Sequence, residues 1–107
     1  LVGNPHRGGV ALVIDGERRV LKLTLGALAE LEAELAEDTL LALVERFESG
    51  ACSSRDVLAL IVAGLRGGGA TVQAGDLLAA EIEGGPLAAA RVAAELLARA
   101  FMVPGEG

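Results

Sequence analysis

Residues Gly9–Leu35, GVALVIDGERRVLKLTLGALAELEAEL, switch from two-residue to helical periodicity around one turn signal, and that switch decides the fold. Before Asp15-Gly16, Val10, Leu12 and Ile14 alternate with Ala11 and Val13; after it, Leu21, Leu23 and Leu25 alternate with Val20, Lys22 and Thr24. Asp-Gly tolerates the positive φ angles of a type I′ turn, so the stretch reads as a β-hairpin. A two-residue loop pairs Val10 with Leu21, and a four-residue loop pairs Leu12 with Leu21. In either register Val10, Leu12, Ile14, Leu21, Leu23 and Leu25 share one face, which is the expected core face.

Two strands do not stand alone in water, so that face needs a roof. The 107 residues are 52% hydrophobic but only 2% aromatic, which leaves Leu, Val, Ile and Ala to build the core and favours helices. The expected class is α+β, mostly α. A hairpin over about 9–25 is followed by four to five short helices packed on one face, in a single domain spanning 1–107 with flexible ends at about 1–8 and 104–107.

Thr24 is placed to cap a first helix reaching about Glu37, with Leu28, Leu31 and Leu35 on one side. Asp38 or Thr39 opens a second helix to about Ser49, whose inner face is Leu40, Leu41, Val44 and Phe47, and Gly50 stops it. Ser53 and Asp56 form a capping-box pair at the start of a third, Ser54 to Arg66, with no charge between Asp56 and Arg66. Such a helix belongs in the centre, with Val57, Leu58, Ile61, Val62 and Leu65 clustered and Ala59, Ala63 and Gly64 on a small-residue side. Gly67-Gly68-Gly69 reads as a loop or hinge. A fourth helix is expected over about Val72–Glu83, carrying Leu77, Leu78 and Ile82, and a fifth from Pro86 to about Met102.

The net charge of −6 is local. Glu30, Glu32, Glu34, Glu37, Asp38, Glu45 and Glu48 stand against Arg46 alone, a balance of 1 − 7 = −6, so the remainder is neutral. No Lys/Arg stripe is present to replace counterions on a phosphate backbone, which argues against a direct nucleic-acid partner. The third helix offers alanines where a DNA-reading helix offers Arg, Asn or Gln. The longest strongly apolar run, Val57–Leu65, is well short of the roughly 20 residues that span a bilayer. Arg7 is followed by a strand rather than a signal-like apolar core, so export by a cleaved signal is not supported.

Chemistry is scarce. His6 lies in a Gly/Pro-containing terminus with nothing to hold it in a productive geometry, the single Cys52 has no base to pair with, and Ser53 is explained by capping. GLRGGGAT lacks the Lys-Ser/Thr pair of a phosphate loop, and one Cys with one His cannot make a zinc set. No catalytic, cofactor-binding or metal residues are therefore assigned, and the chain is expected not to be an enzyme. The candidate partner-binding residues are Glu30, Glu34 and Glu37, as a guiding acidic face, with Leu60 and Ala63 on the apolar third helix.

The opening HRGGVALVIDGERRVLKLTLGALAELEAEL, then SSRDVLALIVAGLRGGG, then an alanine-rich last helix resemble the small tail proteins of gene transfer agents, phage-like particles that package host DNA. LTLGALAEL, residues 23–31, and GLRGGG, residues 64–69, are the most specific pieces. The resemblance implies a bacterial, cytoplasmic protein that works with other tail proteins, or a particle-associated one if it is a tube subunit. Two roles compete within it: chaperone for the tape-measure protein, and structural subunit of the tail tube. Tube subunits are built on sandwiches or barrels of many strands, so one hairpin followed by helices favours the chaperone. A general protein-interaction adaptor or toxin-antitoxin-like regulator of the same shape is the third reading, and a homo-oligomer is a further expectation.

Overall fold

The computed structural model describes residues 9–35 and 39–100. Strands β1 (Gly9–Ile14) and β2 (Glu17–Lys22) form the hairpin, followed by α1 (Leu25–Leu35), α2 (Leu40–Ser49), α3 (Ser54–Gly67), α4 (Ala74–Leu77) and α5 (Gly85–Ala100). Asp15 and Gly16 have φ of 52° and 80°, so the loop is the two-residue type I′ turn and Val10 faces Leu21. The class is α+β, mostly α, as the sequence implies.

The core face of the hairpin is Val10, Leu12, Ile14 and Leu21, all buried. The expected six-residue face is too long. β2 stops at Lys22, Leu23 is only partly buried, and Leu25 is 75% exposed. The cause is the Thr24 cap: its Oγ1 accepts the Ala27 N–H at 3.1 Å, which makes Leu25 the first helical residue and ends the two-residue alternation.

α3 is the hub. It packs on β2, α1, α4 and α5, and Leu60 through Leu65 are all buried. The expected capping box is present, with Ser53 Oγ accepting the Asp56 N–H at 3.2 Å and the Asp56 carboxylate accepting the Ser53 N–H at 3.0 Å. The glycine run closes α3 and forms the turn after it. Gly67 ends α3, and a Cβ on Gly67 or Gly68 would collide with the carbonyl oxygens of Lys22 or Val20, so these glycines let the helix end lie against the outer edge of β2.

α2 begins at Thr39, whose side chain accepts the Ala42 N–H, and ends at Gly50 with φ 79°. Its inner stripe is Leu40, Leu43, Val44 and Phe47, spaced i, i+3, i+4, i+7. Leu41, expected inside, is one step of about 100° off that stripe and 66% exposed.

The expected fourth helix is the largest departure. α4 is a single turn, Leu78 is exposed, and residues 81–83 run antiparallel to the outer edge of β1. The Asp15 N–H donates to the Glu81 carbonyl (2.7 Å), the Asp15 carboxylate accepts the Glu81 N–H (2.8 Å), and the Glu83 N–H donates to the Val13 carbonyl (3.0 Å). Gly84 and Gly85, with φ of 89° and 73°, then turn the chain into α5. α5 packs on both β1 and α3 and buries Ala89, Val92, Ala93, Leu96 and Leu97.

Candidate functional site

Cys52, Ser53 and His6 are the side chains that the sequence offers for nucleophilic or acid–base chemistry. Cys52 is half-buried in the connection between α2 and α3, and Ser53 is occupied as the α3 cap. His6 lies outside the described residues. Among the described residues no group of three or more His, Cys, Asp or Glu could hold a metal ion. No helix among them is long and apolar enough to cross a membrane.

The candidate partner-binding residues are dispersed. Glu30 is on the exposed side of α1 and pairs with Arg66 Nη1 at 3.2 Å, while Arg66 Nε also donates to the Val72 carbonyl. Glu34 is exposed, and Glu37 lies outside the described residues. Leu60 and Ala63 are 0% and 4% exposed. Neither presents a side chain to a partner, because α3 is enclosed by β2, α1, α4 and α5 and has no free apolar side. A helix apolar on most of its circumference is a core helix.

An accessible apolar surface lies between α2 and α5. Val44, Phe47 and Glu48 on α2 face Ala94, Leu97 and Ala98 on α5 across a groove of about 260 Å³. α2 is tied to the start of α3 by an ion pair. Leu43 is fully buried, and the Arg46 guanidinium clasps Asp56 with two parallel bonds, Nε to Oδ2 at 2.9 Å and Nη2 to Oδ1 at 3.0 Å. The Arg46 hydrogen bonds hold the Asp56 carboxyl below its usual range; burial opposes this, and the Ser53 N–H reinforces it. Leu41 lies i, i+3, i+7 from Val44 and Glu48, so it extends the α2 wall of the groove into solvent.

On sequence alone Val44 and Phe47 read as inner-face residues, which they partly are. Ala94 and Ala98 were readable as four-spaced small residues on the last helix. What makes them a groove wall is the distance between α2 and α5, which no local pattern encodes.

A scan against family models matches residues 7–103 to the family described as "Phage tail tube protein, GTA-gp10". The chain belongs to this family of phage-like tail proteins. Comparison with curated proteins and with solved structures found no match.

Proposed function

We propose that this tail protein is a non-enzymatic assembly chaperone that receives an apolar helix of the tape-measure protein in the groove between α2 and α5. The observation that carries the reading is the groove itself: Val44 and Phe47 on one wall and Leu97 on the other are apolar, and the small Ala94 and Ala98 beside Leu97 allow close approach of a helix. Exposed Leu41 supplies an apolar anchor at one end. Glu45 and Glu48 on α2 are exposed beside it and attract a partner with basic flanks.

The competing reading is a structural subunit of the tail tube, which the family's description supports. Against it, the described sheet has two strands, whereas sandwich or barrel subunits need many.

Particle composition separates the two. A chaperone is required for particle production yet absent from purified particles, whereas a tube subunit is one of their abundant components. For the site, Ala94→Glu with Ala98→Glu places two carboxylates in the groove at exposed positions. This variant should keep its melting temperature and lose at least about tenfold in affinity for tape-measure fragments. Unchanged affinity in a folded double variant would remove the groove from the mechanism.

A further inference from the structure

Of the two exposed carboxylates near the end of α2, Glu48 lines the groove between α2 and α5, and Glu45 lies outside the lining. The remaining lining side chains are apolar. Glu48 also sits where α2 is least able to hold an acid. The helix ends at Ser49 with Gly50 as its left-handed cap, so Glu48 is in the last turn, beside the carbonyls that form the negative end of the helix dipole. An acid there lowers helix stability and a cation there raises it.

Nothing within the described residues relieves this. The Glu48 carboxylate makes no hydrogen bond or ion pair among them. Arg46 gives its Nε and Nη2 to Asp56, and Arg99 gives its Nε and Nη2 to Glu95. A local rule broken without compensation inside the fold is expected at a functional site.

We infer that Glu48 selects the groove's ligand: the bound helix carries a lysine or arginine on its groove-facing row, and that cation pairs with Glu48 at the C-terminal end of α2. The inference rests on the groove being a helix site and adds the chemistry of the helix it takes. The Glu48 carboxylate and the end of the α2 dipole act on the incoming cation in the same sense, and the apolar walls strengthen both by excluding water. The spacing follows from α2. Leu41 and Glu48 are seven residues apart on it, which is two turns and about 10 Å along the axis. A ligand helix that lies along α2 with an apolar residue on Leu41 therefore presents its cation two turns away on the same face. A carboxylate at that position would oppose Glu48, so Glu48 discriminates among apolar helices that the walls alone would accept. Glu45, outside the lining, acts on encounter rather than on the bound state.

The test uses the full chain and three synthetic helical peptides with one apolar row, identical except for Lys, Gln or Glu two turns from a leucine of that row. At low salt the Lys peptide should bind about five- to tenfold tighter than the Gln peptide, and the Glu peptide should be the weakest. Glu48→Gln should erase the difference between the Lys and Gln peptides, and Glu48→Lys should make the Glu peptide the tightest. Both variants should melt at or above wild type, since each removes an acid from the negative end of a helix. Glu45→Gln should keep the ranking. Equal binding of the three peptides to wild type overturns the inference and leaves the groove as a helix site, whereas binding of none of them overturns both. A ranking that survives Glu48→Gln, or that Glu45→Gln abolishes equally, also overturns it. So does a Glu48→Gln protein that melts below wild type, because the carboxylate then serves the fold.

Discussion

Alanine at three helical glycines gives effects of opposite sign, and the structure supplies the magnitudes. In an unobstructed helix Gly→Ala stabilises by about 0.4–1 kcal/mol, because the unfolded chain loses freedom. Gly26, in the first turn of α1, is such a site: its nearest neighbour to a new Cβ is Thr24 Oγ1 at 3.9 Å. At Gly64 the Cβ would lie 2.8 Å from Leu96 Cδ1, 3.0 Å from Leu21 Cβ and 3.1 Å from Leu21 Cδ2. Leu96 and Leu21 are fully buried, and Leu21 Cβ is fixed to the strand, so relief requires a shift of the packed layers. At Gly67 the obstacle is the Lys22 carbonyl, main chain held in register opposite Gly9.

Overpacking costs about 1–3 kcal/mol and occasionally more. Subtracting the gain of up to about 1 kcal/mol leaves Gly64→Ala destabilised by about 1 kcal/mol and Gly67→Ala by about 2 or more. At roughly 4 °C per kcal/mol for a domain this size, Gly26→Ala should melt about 2–4 °C above wild type and Gly67→Ala about 8 °C below. Thermal and denaturant melts of the three variants decide it. Gly67→Ala melting at or above wild type would refute the close approach of α3 to β2.

The Arg46–Asp56 clasp predicts a pH dependence. Asp56→Asn should cost about 2–3 kcal/mol at pH 7, between an exposed pair and a fully buried one, because the Asp56 and Arg46 side chains are 11% and 27% exposed. A carboxyl whose folded pKa is depressed contributes stability above its unfolded value of about 3.9 and loses it as pH falls through the folded one. The wild-type advantage over Asp56→Asn should therefore be full at pH 6 and shrink below about pH 4, as urea midpoints across pH will report. On the hairpin, Leu21→Ala should cost about 2–5 kcal/mol and Leu25→Ala under about 0.5, since the first is buried and the second is not. Equal denaturant midpoints for those two variants would contradict the end of the core face at Leu21.

The elements legible in the sequence are those whose determinants are local. Asp15-Gly16 with its flanking alternation specifies the hairpin, and the positive φ angles of both residues decide a register that the pattern left open. Ser53 and Asp56 start α3 where the capping box places it, and Pro86 falls in the first turn of α5. The failures are non-local. Leu77, Leu78 and Ile82 carry helical spacing, yet a helix there would forfeit the bonds that Glu81 and Glu83 make to the β1 edge, 66 or more residues away in sequence. A four-residue helix holds too little cooperativity to resist that exchange. Arg46 looked like a lone cation in an acidic stretch; its role became visible only when α2 and α3 brought it to Asp56. Leu60 and Ala63 were misplaced because a wheel sorts a helix into two sides, whereas α3 is packed from several directions.

The two segments that carry the family resemblance most specifically share one property. In LTLGALAEL, Thr24 caps α1 while Ala27 and Leu31 are buried. In GLRGGG, Gly64, Gly67 and Gly68 permit contact with β2 and Leu96, and Arg66 ties α1 to the connection before α4. Both segments therefore specify how α1, α3 and β2 fit together. They specify the scaffold, and membership in the family follows from it without naming a partner. The surface proposed for a partner lies elsewhere: the α2–α5 groove is lined by Val44, Phe47, Ala94 and Ala98, none of which belongs to either segment. A substitution in GLRGGG should therefore act on stability first and on tail assembly only through it. A substitution at an exposed position of the α2–α5 groove should act on assembly while stability holds.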